Sequence, residues 1–351
     1  MKRRNVLTRT GGGGRLSSGK SAVTDSPQAS VWMALSAFTM AEILLSLTII
    51  GVVAAITLPS LTGNINERTW NTQRKALYAR ISQAISLMPS LNGYGTLVEG
   101  DDSNSAVDTA AETFITAGLA KVLKINNICD SEHLSDCGLS EKIQPMSASS
   151  AIQLESIKTL KTFNVQFARS DKYRVLDTKA IAFETVNGES ILAYYNPTCF
   201  KSVLSENNTL NYDYCFKRMC LNFIYDLNGT KGPNTVGKDI GFITVFEPTD
   251  SIVVAPMPYS KKTQPVDQFT AGSACKEIDS AARIPNLDEV IAMDINQGII
   301  GKIFPTDTWA GGAVIDKTKA WAHGYGYGAN YVGTTYAALR TTKLPVVCIK
   351  R

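Results

Sequence analysis

The chain has 351 residues, enough for two compact domains besides a long helix, and a net charge of +4. Six basic groups and one acidic group lie in residues 1–37, so the rest of the chain is nearly neutral. A nucleic-acid-binding protein would show a basic surface that this chain lacks. We find no nucleophile–base pattern, phosphate loop or dinucleotide motif, and we expect no enzyme activity.

Residues 1–37 read as a basic leader that is removed from the mature protein. The stretch from Gly11 to Gly14 and the serines after it have too few apolar groups to build a core. Its basic charge fits the cytoplasmic side of a membrane.

Residues 38–61 form an apolar run that contains one carboxylate, Glu42. A helix of this length spans roughly 30 Å and can cross a bilayer. A charge in such a run needs a partner. Cleavage between Ala37 and Phe38 would leave an ammonium group on Phe38, which Glu42 of a neighbouring subunit can neutralise.

This arrangement resembles the signal of type IV prepilins and of type II secretion pseudopilins. The matching residues are Phe38, Thr39 and Glu42, followed by Gly51 and Pro59 as the fourteenth and twenty-second residues after the cut. The resemblance implies cleavage by prepilin peptidase, N-methylation of Phe38 and assembly into a filament. The chain departs from the family at Ala37, where glycine is usual.

Beyond Pro59 the helix is predicted to continue to residue 91 with one apolar stripe. The stripe consists of Trp70, Leu77, Ile81, Ile85 and Met88, at helical spacings. We expect it to lie on a sheet.

Residues 92–255 are predicted to form a pilin-like globular domain with an antiparallel sheet. Two apolar segments flank Asn187-Gly188, which is a strong hairpin signal, and two more flank a long loop after Asp226. The predicted fold class is therefore α+β: a long N-terminal helix, half membrane-spanning and half amphipathic, packed on an antiparallel sheet.

The loop between Asp226 and Asp239 offers oxygen ligands from Asp226, Asn228, Asn234 and Asp239. Calcium favours such oxygens, although the spacing is not that of an EF-hand. The loop resembles a segment of pilin-like proteins, and some pseudopilins bind calcium in a loop near the sheet. A tight turn at Asn228-Gly229, with no metal, explains the same residues. We therefore predict no cofactor other than a possible calcium ion.

Residues 256–268, with three prolines, are predicted to be a linker before a last domain, residues 269–351. The motif from Arg283 to Glu289, Trp309 and the final Val346–Ile349 strand resemble C-terminal lectin-like modules related to C-type lectins. Ala310-Gly311 replaces the serines of that family, and Val347 replaces its arginine. The resemblance implies a compact α+β domain stapled by Cys275–Cys348.

The last domain contains a tyrosine-rich and glycine-rich stretch. Its candidate ligand-binding residues are Tyr325, Tyr327, Asn330, Tyr331 and Tyr336. Tyrosine among small residues suits adaptable binding surfaces, but an ordinary strand and loop has the same composition. We expect His133 and His323 on surface loops.

Seven cysteines follow the apolar run, and the absence of a C-x-x-C pair favours structural disulfides in an exported protein. We predict Cys129–Cys137 and Cys275–Cys348. The third pair is Cys199 with Cys220, which leaves Cys215 free, although the sequence does not fix this pairing.

The sequence therefore predicts a pilin-like or pseudopilin-like filament subunit, of a minor or adhesive type. Its partners are other pilin subunits, prepilin peptidase, an inner-membrane assembly platform and a surface ligand. The precursor is expected to cross the bacterial inner membrane once, and the assembled filament is expected in the periplasm or outside the cell. The alternative is a membrane-anchored surface adhesin that does not polymerise.

Overall fold

The computed structural model describes residues 39–92, 111–146, 150–158, 179–195, 214–215, 219–246, 251–259, 261, 263–301, 307–324 and 334–350. The chain divides into two compact units, one ending at Pro59 and one running from Ser60 to Arg351. The leader, Ala37 and Phe38 lie outside the described residues.

The N-terminal helix α1 runs over Met40–Asn92, but the predicted membrane-spanning half is wrong. Within the described residues, none of the helices combines the length and the apolar character that crossing a membrane requires. A span needs about 20 consecutive apolar residues. The side chains described near the start of α1 include the Glu42 carboxylate and the hydroxyls of Ser46 and Thr48. The long membrane-spanning helix is therefore removed from the predicted fold class, and the single-pass anchor in the inner membrane loses its support.

The remaining α-helices and the β-strands have the following bounds. The later helices are α2 Ala271–Ile278, α3 Leu287–Ile295 and α4 Gln297–Ile300. The strands are β1 Ile125–Cys129, β2 Lys142–Ile143, β3 Ile152–Gln153, β4 Ile181–Thr185, β5 Ser190–Tyr195, β6 Tyr214–Cys215, β7 Met219–Asp226, β8 Ile240–Phe246, β9 Ser251–Val254, β10 Ala282–Arg283, β11 Asp307–Val314, β12 Lys319–Gly324, β13 Thr334–Leu339 and β14 Ile349–Lys350.

A six-stranded antiparallel sheet, in the order β1-β4-β5-β7-β8-β9, is the centre of the second unit. The predicted antiparallel sheet is thus confirmed. β4 and β5 form the hairpin at Asn187-Gly188, where Gly188 has φ 82°. Only glycine adopts this left-handed backbone readily, so the dipeptide fixes the turn.

One face of the sheet is covered by the part of α1 that belongs to the second unit. Leu77, Ile81 and Ile85 are buried there together with Phe183 and Phe223 of the sheet. The two phenylalanine rings lie 6.3 Å apart, edge to face. The apolar stripe of the sequence is therefore the face that this part of α1 buries.

The opposite face of the sheet is covered by the C-terminal part of the chain. Leu192, Ile224 and Phe242 share a buried cluster with Val290 and Met293 of α3. Because successive side chains of a strand point to opposite faces, β5, β7 and β8 are apolar at nearly every position.

A buried amide pair joins the sheet to the end of α3. The side-chain nitrogen of Asn222 donates to Asn296 Oδ1 (2.8 Å), and Thr244 Oγ1 donates to Asn222 Oδ1 (2.8 Å). Asn296 also donates to the carbonyl of Ala292 (2.8 Å). All three polar side chains are fully buried, so these bonds fix the position of α3 on the sheet.

The C-terminal part contains a four-stranded sheet in the order β11-β12-β13-β6 and the small pair β10–β14. β6 comes from the region predicted to be the pilin-like domain, yet it pairs with β13. The predicted linker runs beside the chain end: Tyr259 N–H donates to Cys348 O (2.8 Å), and Val266 and Leu344 exchange two backbone bonds of 3.0 Å.

Two disulfides are formed by the pairs expected from the sequence. Cys129 and Cys137 have Cα atoms 5.9 Å apart, and Cys275 and Cys348 have Cα atoms 5.5 Å apart. Cys220 is also disulfide-bonded, whereas Cys199, its predicted partner, lies outside the described residues.

Two arginines of α1 hold loops at the sheet. Arg80 forms a two-pronged ion pair with Glu189, whose carboxylate also accepts a bond from the Thr185 hydroxyl. Arg74 donates to the carbonyls of Gly237 (3.0 Å) and Lys238. The buried carboxylate of Glu189 is thus charge-balanced only while α1 is docked.

Removing Cys275–Cys348 should destabilise the protein more than removing Cys129–Cys137. The two bridges close loops of 73 and 8 residues, and the chain-entropy model gives losses of about 4 and about 2.5 kcal/mol. Chemical unfolding of the Cys275→Ala/Cys348→Ala and Cys129→Ala/Cys137→Ala proteins measures the two losses in the free energy of unfolding. A larger loss for the shorter loop would contradict the entropic account.

Replacing Arg80 with Met should lower the free energy of unfolding by about 2–3 kcal/mol, because Glu189 is left buried without its counter-charge. Arg80→Met/Glu189→Gln should recover part of the loss. Arg68→Met is the matched control, since Arg68 is exposed on the same helix. Equal unfolding midpoints for Arg80→Met and the control would show that the ion pair does not stabilise the docked helix.

Candidate functional site

The predicted assembly residue Glu42 is bonded within its own chain. The backbone N–H and the hydroxyl of Thr39 donate to Glu42 Oε2 (2.9 and 3.0 Å), and the Glu42 N–H lies 3.3 Å from Thr39 Oγ1. These reciprocal bonds form a capping box at the start of α1. The Thr-x-x-Glu spacing of the sequence is the signature of this capping box. Phe38, the predicted partner in a neighbouring copy, lies outside the described residues.

The first unit exposes a dense apolar surface. Nine large side chains have exposed fractions from 47 to 81%; they are Met40, Ile43, Leu44, Leu45, Leu47, Ile49, Ile50, Val52 and Val53. The hydroxyls of Ser46 and Thr48 bond to carbonyls of their own helix (2.8 and 2.7 Å). The polar groups among these side chains are therefore satisfied internally, and the surface can contact an apolar neighbour.

A neighbouring helix also has room to pack closely at Gly51. Apart from the local helix backbone, the described residues place no heavy atom within 4 Å of the position that a Cβ would take there, so a second helix can approach closely at this point. Pro59 lies within α1.

The four predicted calcium ligands lie in one loop between β7 and β8. The N–H groups of Asn234 and Thr235 each donate to one oxygen of Asp239 (both 2.8 Å), and the Asn228 N–H donates to Asp226 Oδ1 (3.1 Å). The Asn228 amide nitrogen donates to the Gly232 carbonyl (2.7 Å). In the amide orientation that satisfies its neighbours, Asn234 also donates to Asp226 Oδ2 (3.3 Å).

The loop places two carboxylates in a buried setting. Asp226 and Asp239 are almost fully buried, and burial, followed by the charge of Asp239, raises the pKa of Asp226 to about 7. One buried side-chain oxygen of the loop, Oδ1 of Asn228, has no hydrogen-bond partner among the described residues. The part of the chain that the structure describes holds no cluster of three or more His, Cys, Asp or Glu side chains suited to a metal ion. The hydrogen bonds therefore favour a self-bonded turn, and calcium binding stays a prediction.

His323 does not lie on a surface loop, contrary to the expectation. It is fully buried on β12, and its Nε2 lies 3.1 Å from Oδ2 of the equally buried Asp294 on α3. Gln297 donates to the other oxygen of Asp294 (2.9 Å). Ala322, the neighbour of His323, faces a different cluster, so strand alternation turns His323 towards α3. Two features of the sequence point to this buried pair. One is the two-residue alternation of side chains along β12, and the other is a carboxylate, Asp294, inside an apolar helical segment. His133 is exposed, as expected.

The predicted ligand surface is described at one residue only. The Tyr336 hydroxyl donates to Asp307 Oδ1 (2.8 Å), and burial raises the pKa of this hydroxyl. Tyr336 is half-buried and joins β13 to β11. Tyr325, Tyr327, Asn330 and Tyr331 lie outside the described residues.

Gly311, in the segment whose sequence was compared with lectin-like modules, lies where a side chain has no room. The Gly311 N–H donates to the Pro285 carbonyl (2.7 Å), and a Cβ at Gly311 would come within 2.8 Å of Ile284. A serine at this position would push β11 away from the start of α3. The neighbouring Arg283 makes a two-pronged ion pair with Glu289 (2.6 and 2.8 Å), which also completes the capping box of α3 with Asn286.

Fold and sites together define a class: a mixed α and β protein whose six-stranded antiparallel sheet carries a helix on one face and a disulfide-stapled segment on the other. No protein-family model matches the chain, and neither a curated protein nor a solved structure is similar to it.

The free energy of unfolding should fall as pH rises from about 4 to about 7. A carboxyl whose pKa is raised by folding binds its proton more tightly in the folded state, so its contribution to stability is present at low pH and is lost through this window. One pKa unit corresponds to about 1.4 kcal/mol. Asp226→Asn keeps an oxygen for the Asn228 N–H and should flatten the fall, whereas the exposed Asp136→Asn should not.

Calcium addition separates the two interpretations of the loop. A calcium ion held by Asp226 would raise the melting temperature of the wild-type protein at pH 8 but not that of Asp226→Asn. Unchanged melting temperatures in both proteins would contradict the calcium hypothesis.

For the pH dependence of stability, a pH profile of Asp226→Asn identical to that of the wild type would contradict the raised pKa of Asp226.

Proposed function

We propose that this chain is a pilin-like or pseudopilin-like subunit of a type IV pilus or type II secretion filament, of a minor or adhesive type. The observation that carries the proposal is the apolar surface of the first unit, from Met40 to Val53. Fully burying one such side chain stabilises by about 1.5–3 kcal/mol. Because these side chains are about half exposed, covering all of them is worth on the order of 10 kcal/mol.

Neighbouring copies of the same segment are the partners that this surface fits. The small residue Gly51 allows close approach between helices, and the hydroxyls of Ser46 and Thr48 are already bonded within their own helix. Association would then bury apolar groups without leaving polar groups unsatisfied.

Glu42 would exchange partners on assembly. In the single chain its carboxylate accepts from Thr39. In the filament it would face the ammonium group of Phe38 on the next copy, once prepilin peptidase has cut after Ala37 and Phe38 has been methylated. An ion pair surrounded by apolar groups fixes position more than it adds net stability.

The rest of the chain would lie on the outside of the filament. The Cys129–Cys137 and Cys275–Cys348 bridges fit a periplasmic or extracellular location, because disulfides persist in oxidising compartments. The size of the C-terminal part fits a minor or adhesive subunit, assembled through the inner-membrane platform of such systems.

Replacing Ile43, Leu47 and Ile50 with Ser should reduce incorporation into filaments by about 100-fold, since each side chain loses about 1 kcal/mol of burial. The matched control is Leu87→Ser/Val186→Ser, which removes exposed apolar side chains from the second unit. Incorporation is measured by pull-down of assembled filaments, and folding by thermal unfolding of the purified chain.

Glu42→Gln tests the charge separately. Glutamine keeps an oxygen for Thr39 but cannot neutralise an ammonium group, so incorporation should fall while the melting temperature is unchanged. Mass spectrometry of the exported chain should find a methylated Phe38 as first residue. An intact leader, or full incorporation of the triple serine variant, would leave the non-polymerising surface adhesin as the better reading.

A further inference from the structure

A second apolar surface lies at one end of the four-stranded sheet of the C-terminal part. Four large side chains there have exposed fractions of 39–60%: Phe269, Val314, Ile315 and Leu339. Four cations accompany them: Lys317, Lys319, Arg340 and Lys343. We call these eight residues the hairpin tip, because they surround the turn between β11 and β12.

Contacts within the structure place these residues together. The Arg340 guanidinium lies 4.0 Å from the centre of the Phe269 ring. The Arg340 N–H donates to the Thr318 carbonyl (2.8 Å), and Lys319 pairs with Leu339 across β12 and β13. Ile315 N–H donates to the Lys319 carbonyl (3.0 Å).

Two carboxylates adjoin the hairpin tip, and both accept hydrogen bonds from nearby backbone N–H groups. Asp316 Oδ1 accepts from the N–H groups of Thr318 (2.6 Å) and Lys319 (2.8 Å). Asp267 Oδ1 accepts from the N–H of Thr270 (3.0 Å) and from its hydroxyl (2.8 Å). Four cations against these two carboxylates leave a net charge of +2. Among the described residues, none of the four cations has a carboxylate within ion-pair distance.

The turn itself is suited to an environment without water. Its N–H groups at Ile315, Asp316, Thr318 and Lys319 all donate within the turn. An exposed turn of this kind can enter the boundary between lipid headgroups and acyl chains with these four N–H groups still hydrogen-bonded. Apolar side chains then reach the acyl region, and cations at the rim meet the phosphates.

We propose that the hairpin tip binds the surface of a membrane leaflet rich in anionic phospholipid. The apolar side chains are exposed around a turn, and a deformable bilayer can cover such a surface, whereas a rigid protein would need a matching shape. The cations select the anionic lipid. This proposal does not depend on whether the chain assembles into a filament.

Lysine footprinting on the full chain tests the proposal, because it reports on the hairpin tip independently of the apolar first unit. The chain is acetylated in the presence of vesicles of phosphatidylcholine with 30% phosphatidylglycerol, or of phosphatidylcholine alone, and the modified lysines are quantified by mass spectrometry. We expect Lys317, Lys319 and Lys343 to be protected by the anionic vesicles only. The exposed Lys121 and Lys142 are the internal controls.

Two variants separate the apolar and the charged contributions. Val314→Ser/Ile315→Ser should abolish the protection of the three lysines. In the Lys317→Gln/Lys319→Gln protein, the lipid concentration at which Lys343 is half protected should rise by about 25-fold. The reason is that each cation raises the affinity for an anionic surface by a factor of about five. Thermal unfolding verifies that both proteins are folded.

Three results would overturn the proposal. One is absence of protection, and another is equal protection by both kinds of vesicle. The third is stronger protection by polyglutamate than by the anionic vesicles, which would assign the hairpin tip to an acidic protein partner.

Discussion

The structure of the second unit depends on covering both faces of one sheet. Strand side chains alternate between the faces, so Phe223 packs towards α1 while its neighbour Ile224 packs towards the C-terminal part. Neither layer can leave without exposing apolar strands. The helix and the C-terminal part are therefore tied to each other through the sheet, although they contact opposite sides of it, and the buried amide pair of Asn222 and Asn296 fixes the second layer in place.

Local patterns of the sequence predicted the parts of the fold that local physics determines. The dipeptide Asn187-Gly188 gives a hairpin because it tolerates the backbone of a tight turn, and the spacing of Leu77, Ile81 and Ile85 gives the buried side of a helix. The sequence did not reveal that residues 256–268 run along the chain end, because their partners Leu344 and Cys348 are about 80 residues away.

The candidate sites show the same limit more sharply. The apolar run predicts that Glu42 needs a partner in another subunit, and the structure gives it Thr39, three residues away. In that case the sequence contains the pattern, which is the Thr-x-x-Glu spacing of a capping box. The sequence does not place His323 in the core, because its partner Asp294 is brought to it only by the packing of α3 on β12. For such a residue a single sequence contains the alternation but not the identity of the facing element. The membrane-spanning helix was predicted from composition alone, and the described helices do not support it.

The Cys275–Cys348 bridge has a mechanical consequence for a chain that is pulled from its N-terminus. Tension that reaches the C-terminal part passes from one sulfur to the other and bypasses the residues between them. A fully extended chain gains about 3.5 Å per residue, so the 73-residue loop withholds roughly 250 Å of contour length. The helix, the amide pair and the sheet can yield under load, while every residue of the hairpin tip except Phe269 lies between Cys275 and Cys348, inside the covalent ring.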